Sequence, residues 1–368
     1  MKQSKHNIVI VTSEFPPQPG GIGNHAYNLA LHLSKNSYTV HVIADQRSIS
    51  GKEEAVFDES LPFSVERIKL KKWRFRMYIN RLIHTNSYLK NSPHVIATGK
   101  FSLWNVAFCS LFHKCSTIAV IHGSEVNFKS FAIKKSIDLA LKRFNSIVAV
   151  SNYTKSLVSH IKKEVKVIPN GIDISEWTAN NVAQVKLEGS PILTTVGRVS
   201  SRKGQLNVIK QLPELIKHFP ELHYHCIGIP TEANAFIEVA KELKVSSHVT
   251  FHGSVDTRTL KQMLHATEVF IMLSTESKIG DVEGFGIAIL EANAIGIPAI
   301  GSLGCGIEDA INNYKSGILI PYNDSNAFLE ALHTIFLEYD LYKKNAKVWA
   351  NKHAWNQVIN QYIKIINN

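Results

Sequence analysis

Long hydrophobic runs and cysteine are scarce in this 368-residue chain, and each scarcity excludes a class of protein. No apolar stretch reaches the roughly 18 residues that a membrane-spanning helix needs, so we expect no such helix. The cysteines show no metal-ligand spacing, and we predict that they are buried thiols in a reducing compartment; they are Cys109, Cys115, Cys226 and Cys305. The polar residues 1–6 lead directly into a predicted strand, which disfavours a cleaved signal peptide.

Acidic residues are also in deficit, and two motifs are missing. The chain has 30 Asp and Glu against 41 Lys and Arg, a formal charge of +11, which points to anionic partners. It contains no recognisable nucleic-acid module, so we expect lipid surfaces or phosphorylated substrates rather than nucleic acid. It also contains no Asp-x-Asp motif, so we expect no metal ion that holds a diphosphate.

Short apolar runs alternate with helical patterns in two successive arrays of similar size. Such alternation predicts an α/β fold with two Rossmann-like domains that face a central cleft. Residues 175–191 lose periodicity and are interpreted as a linker. The predicted parts are an N-terminal domain over 1–178, a C-terminal domain over 189–352, and a helix over 353–368 that crosses back to the N-terminal domain.

The chain is organised around the stretch from Asp281 to Ala294, where two glycines flank an aromatic and a helical pattern follows. We predict a helix that begins near Gly286, and free N–H groups at such a start bind phosphate well. Gly284 lets a ligand approach the backbone closely. Carboxylates at Glu283 and Glu291 can accept hydrogen bonds from two sets of hydroxyls. The stretch suits a phosphate flanked by two sugars; the alternative is a buried helix with two solvated glutamates.

Charged or polar residues follow two other predicted strands, where open α/β sheets place their ligands. Arg198 and Lys203 lie on a glycine-bearing turn, and two cations there suit a diphosphate; the alternative is ordinary surface charge. His122 ends a strand and precedes Gly123, so it is well placed to face a cleft. Most of the 17 histidines need no function, however.

A dinucleotide-like motif lies near the N-terminus. Residues 21–26 match the glycine fingerprint, and Asp45 ends the second predicted strand at a suitable distance. In that fingerprint the glycines follow the strand almost directly, whereas residues 14–19 intervene here. We interpret the long loop as a flexible lip over a cleft, and keep an NAD(P)-dependent oxidoreductase as the alternative function.

Basic and large apolar residues are interleaved from Arg67 to Ile83. This mixture suits an interfacial helix on an anionic membrane; the alternative is a solvated basic face. The predicted membrane-contact residues are Lys71, Lys72, Trp73, Arg74, Phe75 and Arg76.

Taken together, these residues resemble the retaining glycosyltransferases of family 4, which have the GT-B fold. The resemblance runs nearly end to end, and the order and spacing of its motifs are specific. The motifs are 17–23 (PQPGGIG), His122-Gly123, 150–152 (VSN), 168–173 (IPNGID), 196–198 (VGR), Lys203-Gly204, 283–286 (EGFG) and Glu291-Ala292.

The resemblance implies a role for each matching position. Arg198 and Lys203 would neutralise the donor's diphosphate, Glu283 would hold the donor sugar, and Glu291 would hold the ribose. His122 would sit beside the transferring sugar. The implied catalytic set is His122, Arg198, Lys203 and Glu283. The implied donor-binding set is Gly20, Gly21, Arg198, Lys203, Val255, Glu283, Gly284, Phe285, Gly286, Ile287 and Glu291.

The resemblance also implies the reaction. A hexose would pass with retention from a GDP- or UDP-linked donor to a glycan or lipid-linked acceptor held by the N-terminal domain, with no cofactor and no metal. Asp281-Val282-Glu283 looks most like the mannosyltransferase branches, although residues 277–280 make this loop longer than the family's shorter versions. The expected place is the cytoplasm, at the inner face of the membrane. A non-catalytic nucleotide-sugar-binding subunit is a further alternative.

Overall fold

The computed structural model describes residues 7–178 and 185–368, apart from the side chain of Arg74. Residues 1–6 and the middle of the predicted linker therefore lie outside the described part. The chain divides into two compact units. Unit 1 comprises residues up to Gly171 together with Trp355–Asn368, and unit 2 comprises Ile172–Ala354.

Unit 1 is a parallel sheet of seven strands in the order β3-β2-β1-β4-β5-β6-β7. The strands are β1 Asn7–Thr12, β2 Thr39–Asp45, β3 Ser64–Ile68, β4 His94–Thr98, β5 Ser116–Ile121, β6 Ser146–Ala149 and β7 Val165–Val167. The helices are α1 Gly21–Lys35, α2 Lys52–Glu59, α3 Arg74–Leu89, α4 Lys100–Cys109, α5 Phe131–Arg143, α6 Asn152–Ser156 and a C-terminal helix, Trp355–Ile366.

The strands of unit 1 are short apolar runs because helices cover both faces of a parallel sheet. Residues 8–11 of β1 are buried. Helix α1 buries Ala26, Leu29 and Leu33, whose spacing puts them on one face. The C-terminal helix packs against α1, and its Tyr362 hydroxyl lies 3.1 Å from His25 Nε2. The last helix therefore belongs to the core of unit 1.

Unit 2 is a parallel sheet of six strands in the order β10-β9-β8-β11-β12-β13. The strands are β8 Ile192–Val196, β9 His223–Ile227, β10 Val249–Gly253, β11 Val269–Met272, β12 Ala299–Ser302 and β13 Gly317–Ile320. The helices are α7 Ile174–Thr178, α8 Gln205–His218, α9 Ala233–Glu242, α10 Thr257–His265, α11 Ile287–Ala294, α12 Ser325–Leu337 and α13 Tyr339–Lys352.

Two parallel sheets with alternating helices confirm the predicted α/β fold. The interpretation of residues 175–191 as a linker was wrong at its start, because α7 covers Ile174–Thr178 and packs against α11. The division between the units accordingly falls after Gly171, ahead of the predicted boundary at 178. Within the described residues, no helix has both the length and the hydropathy to cross a membrane.

The order of strands reverses between β1 and β4 in unit 1, and between β8 and β11 in unit 2. In open parallel sheets, ligands bind beside the carboxyl ends of strands at such a reversal. In unit 2 these ends lead into Gly197 and Leu273, and the residues that follow them form the site described below.

Candidate functional site

The turn after β8 is packed tightly against the carboxyl end of β11. Gly204 has a φ of +86°, and a Cβ at this position would lie 2.1 Å from the Leu273 carbonyl oxygen. Only glycine fits there, since the backbones touch and φ is positive. The Thr275 N–H donates to the Arg202 carbonyl oxygen at 3.2 Å. The 3₁₀ turn Ser201–Lys203 is thereby fixed beside the segment that leads to Glu283.

A cluster of four charged side chains forms at this place. Lys203 Nζ lies 2.7 Å from Glu283 Oε2, and Arg202 Nη1 contacts the same oxygen. Arg202 Nε lies 3.0 Å from Asp281 Oδ2. Burial alone would raise the pKa of Glu283, but Lys203 and Arg202 outweigh it and lower that pKa to about 2. Glu283 is therefore an ionised acceptor of hydrogen bonds across the physiological range.

Helix α11 begins at Ile287, directly after Gly286, as predicted. Gly286 adopts the left-handed conformation with a φ of +84°, which favours glycine. The first turn of α11 has no acidic residue and its N-cap has no side-chain hydrogen bond. The N–H groups of this eight-residue helix are thus the kind of donors that bind a phosphate.

The loop after β12 supports the Glu283–Gly286 segment from behind. The Gly306 N–H donates to the Glu283 carbonyl oxygen at 3.0 Å. A Cβ on Gly306 would lie 2.1 Å from the Gly284 carbonyl oxygen, so only glycine permits this approach. Phe285 is buried, with its ring centre 6.0 Å from that of His353. Phe285 therefore anchors the loop, and its buried ring is not offered to a ligand.

The other residues of unit 2 that are predicted to bind the donor lie at the same carboxyl edge of the sheet. Arg198 follows β8 and is exposed, whereas Val255 follows β10 and is half-buried. The stem of Lys203 lies over Gly197, whose added Cβ would be 3.2 Å from Lys203 Cε. The structure thus brings Lys203, Glu283 and the start of α11 together, with Arg198 nearby along the chain at the exposed end of β8.

Glu291 lies on α11, half-buried, about one turn after the helix begins. Burial, followed by the charge of Glu176, raises the pKa of Glu291 to about 7, and Lys203 and Lys261 oppose that rise. Lys261 Nζ also lies 3.9 Å from Glu176 Oε1 and 5.5 Å from the centre of the Trp177 ring. Glu291 therefore changes charge near neutral pH.

The ribose contact that the resemblance implies for Glu291 predicts a pH dependence of donor binding, because the pKa of Glu291 is about 7. A carboxylate accepts a stronger hydrogen bond from a ribose hydroxyl than a carboxylic acid does. We expect the affinity for GDP-mannose to increase as the pH rises through about 7. We expect Glu291→Gln to bind several-fold more weakly above pH 7 and to lose the pH dependence. Calorimetric titration with GDP-mannose measures this, since its diphosphate diester does not titrate near neutrality. A pH dependence that survives in Glu291→Gln would remove Glu291 from the site.

In unit 1, His122 follows β5 and is buried among polar partners. Its Nε2 lies 2.8 Å from Thr98 Oγ1, and its ring centre is 4.9 Å from that of His25. Burial lowers the pKa of His122 well below its usual range, and the charge of His25 acts in the same direction. Burial also lowers the pKa of His25 to about 3. His122 is therefore neutral at pH 7 and cannot serve as a cationic acid.

The Gly20-Gly21 segment lies at the start of α1, and residues 13–20 separate this helix from the end of β1. Gly20 is the N-cap of α1, and the predicted fingerprint glycines lie inside its first turn. Asp45 forms a two-contact ion pair with Arg81, whose Nε lies 2.7 Å from Asp45 Oδ1. The carboxylate that the oxidoreductase alternative needs for a ribose is therefore already occupied. Arg47 anchors the loop at 14–19, which was predicted to be a flexible lip, because its Nη1 donates to the Pro19 carbonyl oxygen at 3.0 Å.

The basic segment is divided by the fold, contrary to its interpretation as a single face. Arg67 lies in β3 and pairs with Asp58 at 2.7 Å, and Arg81 pairs internally as described. Most of the other described members are exposed on or before α3, whereas Ile68 and Met77 are buried and Leu82 is half-buried. Trp73 and Phe75 are 60% and 50% exposed. The exposed cations are Lys69, Lys71, Lys72 and Arg76, while the side chain of Arg74 lies outside the described part.

Two charged residues near these sites were missed by the reasoning from sequence. Arg202 precedes Lys203, yet its partners are about 80 positions away, so no local pattern announces the pairing. Glu125 is buried, and its Oε1 accepts from the backbone N–H of His122. Burial raises the pKa of Glu125 to about 7, against the effect of that hydrogen bond. The polar sequence at 122–125 was the signal that could have indicated it.

Two family profiles match the chain, one for each array. The profile described as Glycosyltransferase Family 4 matches residues 19–176, and the profile described as Glycosyl transferases group 1 matches residues 178–352. Neither overlaps the other, and together they span almost all of the described residues.

Curated relatives agree with the profiles. The chain is 22% identical over 361 residues to a GDP-mannose-dependent alpha-(1-6)-phosphatidylinositol monomannoside mannosyltransferase of Mycobacterium tuberculosis (strain CDC 1551 / Oshkosh), with 90% of each chain covered. It is 27% identical over 172 residues to a putative colanic acid biosynthesis glycosyltransferase, WcaL, of Escherichia coli (strain K12), with 46% of this chain and 42% of that protein covered.

Solved structures show the same fold. A glycosyltransferase from Rickettsia africae ESF-5 superimposes with a TM-score of 0.78 at 19% identity, covering 99% of this chain and 98% of that chain. Anabaena Alr3699/HepE in complex with UDP and glucose gives a TM-score of 0.77 at 17% identity, covering 98% and 99%. At these identities the likeness establishes the architecture.

Proposed function

Because the chain belongs to the family 4 glycosyltransferases with the GT-B fold, we propose that it is a retaining hexosyltransferase that uses a nucleoside-diphosphate sugar. The first donor to test is GDP-mannose, which is named for the mycobacterial relative. The acceptor is a glycan or a lipid-linked sugar. The observation that supports this proposal best is the cluster of Lys203 and Glu283 beside the start of α11 in unit 2.

Each part of the cluster has a proposed task. Lys203 and Arg198 neutralise the diphosphate, and N–H groups at the start of α11 bind one of its phosphates. The Glu283 carboxylate accepts hydrogen bonds from the donor sugar, which its low pKa allows at all physiological pH values. Glu291 accepts from the ribose. No metal ion has a task in this scheme, so we expect turnover to persist in a chelator.

The proposed step is a displacement on one face of the sugar. The bond from the sugar C1 to the phosphate oxygen breaks, and a bond from C1 to the acceptor oxygen forms on the same face. The acceptor's proton passes to the leaving phosphate oxygen, so the products are the glycoside and the nucleoside diphosphate. The protein contributes positioning and charge stabilisation.

The experiment combines donor turnover with product analysis. Donor turnover is GDP or UDP release from GDP-mannose or UDP-glucose, in the presence of EDTA and of vesicles that contain phosphatidylinositol monomannoside, which the relative's name suggests as an acceptor. We expect GDP release and an α-linked product by NMR of the anomeric proton. A β-linked product would overturn retention, and turnover only with added metal would overturn metal independence. Tight binding without turnover of any tested donor would favour a non-catalytic subunit.

We further propose that unit 1 contacts an anionic membrane through α3, α4 and α5. Residues 67–143 carry 15 Lys and Arg against 2 Asp and Glu, a formal charge of +13, whereas the whole chain has +11. The basic excess of the protein is therefore concentrated in about a fifth of its length. Arg67 and Arg81 are used in internal ion pairs, and the exposed cations among the others are attracted to anionic lipid headgroups.

Large apolar side chains are exposed in the same region. On α3 they include Ile79 and Ile83, and the segment at the end of α4 adds Phe108 and Phe112, which is 65% exposed. Helices α3 and α4 pack against each other, as do α4 and α5. Exposed aromatic side chains beside cations fit a membrane-binding surface. The rings can insert into the headgroup region while the cations contact the lipid phosphates.

Replacing Lys71, Lys72 and Arg76 with Gln is expected to weaken binding to phosphatidylglycerol-containing vesicles by roughly 100-fold, at about 1 kcal/mol per cation. Sedimentation with vesicles measures this, and neutral phosphatidylcholine vesicles give the baseline. The matched control replaces Lys210, Lys315 and Lys344, which are exposed on unit 2. Equal losses in the two variants would reduce the effect to net charge, and no loss in either would make α3 an ordinary solvated face.

A further inference from the structure

We propose that Arg202 is a positioning residue for the transfer: it keeps the Glu283 carboxylate in place while Lys203 engages the donor diphosphate. The inference rests on the proposed function, and it adds a residue that the resemblance did not assign. Arg202 and its partners all lie in unit 2.

The geometry separates the two cations that share Glu283. Both contact Oε2, but Arg202 alone has a second anchor, because its Nε lies 3.0 Å from Asp281 Oδ2. A guanidinium is a rigid planar fork, so two contacts fix its orientation. Lys203 has a single charged atom on a flexible stem, which can turn to another anion. The arrangement therefore has one fixed cation and one movable cation.

The donor makes this distinction matter. A diphosphate competes with Glu283 for Lys203. Without Arg202, the partly buried Glu283 carboxylate would then have no countercharge, and leaving a buried charge unpaired is costly. Only 12% of the Glu283 side chain and 22% of the Arg202 side chain are exposed. Arg202, held by Asp281, remains on Oε2 when Lys203 turns away. A carboxylate has about four acceptor positions, so Glu283 can still receive a sugar hydroxyl.

The same contact gives the long loop before Glu283 a task. The Asp281 N–H donates to Ser277 Oγ at 2.9 Å, and the Ser277 N–H donates to the Asp281 carbonyl oxygen at 2.9 Å. Residues 277–281 are thus a closed turn. Arg202 ties this turn to the 3₁₀ turn that carries Lys203, with Val282 buried between the two acidic residues. The loop length sets where Asp281 can anchor Arg202.

The test compares Arg202→Gln with Arg202→Lys and Asp281→Asn in donor turnover of GDP-mannose. We expect Arg202→Gln to lower kcat by roughly 10- to 100-fold, as small misplacements do, with KM and the Kd for GDP changed less than about 3-fold. We expect Arg202→Lys to retain part of the wild-type kcat. We expect the kcat of Asp281→Asn to lie between those of the wild type and Arg202→Gln. The acid limb of the pH–kcat profile moves to higher pH in Arg202→Gln, since Glu283 loses a cation that favours its charged form.

A second measurement does not depend on turnover. Titration of the Glu283 carboxyl by ¹³C NMR, assigned with Glu283→Gln, follows its pKa with and without GDP. In the wild type we expect the pKa to stay low when GDP binds; in Arg202→Gln we expect GDP to raise it. Binding of GDP with this pattern but without turnover would leave the role of Arg202 standing and overturn the proposed transfer.

Two results would overturn the role of Arg202 while the transferase proposal stands. One is an Arg202→Gln variant with normal kcat and a normal acid limb, which would make the ion pair structural. The other is a loss of GDP affinity as large as the loss of kcat, which would make Arg202 a direct ligand of the diphosphate.

Discussion

Replacing Glu283 with alanine is expected to lower the kcat of donor turnover by roughly 100-fold or more, the magnitude found when one stabilising polar group leaves a reaction centre. Glu283 is the ionised acceptor on which Lys203 and Arg202 converge. Its loss removes the proposed contact with the donor sugar and leaves two partly buried cations without their shared anion. Steady-state kinetics with GDP-mannose, together with a melting curve, measure both effects.

Two further variants separate chemistry from folding. Glu283→Gln keeps the shape and one acceptor oxygen, so we expect it to fold normally and to remain severely impaired. Glu238→Ala removes an exposed carboxylate that pairs with Lys241 one turn away in α9, and we expect it to be neutral. A near-normal kcat in Glu283→Gln would mean that the charge at Glu283 has no part in the transfer.

Replacing Lys203 with alanine is expected to reduce both kcat and the affinity for GDP, with a loss in kcat of about 10²- to 10³-fold. The reason is that the proposed diphosphate contact acts on bound GDP and also on the charge that develops as the phosphate leaves. This joint loss distinguishes Lys203 from Arg202, for which we expect the loss in kcat alone. Calorimetry with GDP and donor turnover are the two measurements.

Two control variants accompany Lys203→Ala: one keeps the positive charge at position 203, and the other removes a positive charge nearby in the chain. Lys203→Arg keeps the charge on a different geometry and should recover part of the GDP affinity. Lys210→Ala removes an exposed cation from α8, a few residues further along the chain, and should have no effect. If Lys203→Ala bound GDP as tightly as the wild type, the diphosphate would have to lie elsewhere in unit 2.

The features predictable from sequence are those that local chemistry determines. The start of α11 after Gly286 was predictable because a glycine precedes a helical apolar pattern, and in the structure this glycine adopts the left-handed conformation. At α6 the residue type itself indicates the helix start, because serine favours the N-cap position, and Ser151 Oγ accepts from the Thr154 N–H at 3.0 Å. The two sheets followed from the alternation of short apolar runs with helices.

The features that were not predictable depend on distant partners. The cations Arg67 and Arg81 looked like surface charge in a basic run, but the fold pairs them with Asp58 and Asp45. Glu54 was not considered, yet it is buried and accepts from the Arg47 N–H at 2.9 Å. Nothing in the neighbouring sequence states which carboxylate a cation will meet. Arg202 is the instance that matters for function.

Burial also determined what the sequence left open at His122. A histidine at the end of a strand can be charged or neutral, and the neighbouring residues in the sequence do not indicate which protonation state it has. In the structure its ring lies against His25 and Thr98, inside unit 1, and burial keeps it neutral. The role that the resemblance gives His122 remains a prediction, restricted to a neutral imidazole.

Under the proposed function, unit 2 binds a nucleoside-diphosphate sugar without a metal ion. The most direct measurement is a thermal-shift titration with GDP, UDP, ADP, NAD and NADP in EDTA, for the wild type and Lys203→Ala. Only a ligand that binds the folded state raises the melting temperature. At a concentration of 100 times its Kd, such a ligand stabilises the folded state by about 2.7 kcal/mol. We expect a shift with GDP or UDP in the wild type, and we expect Lys203→Ala to lose it. A shift with NAD or NADP alone, unchanged in Lys203→Ala, would contradict it.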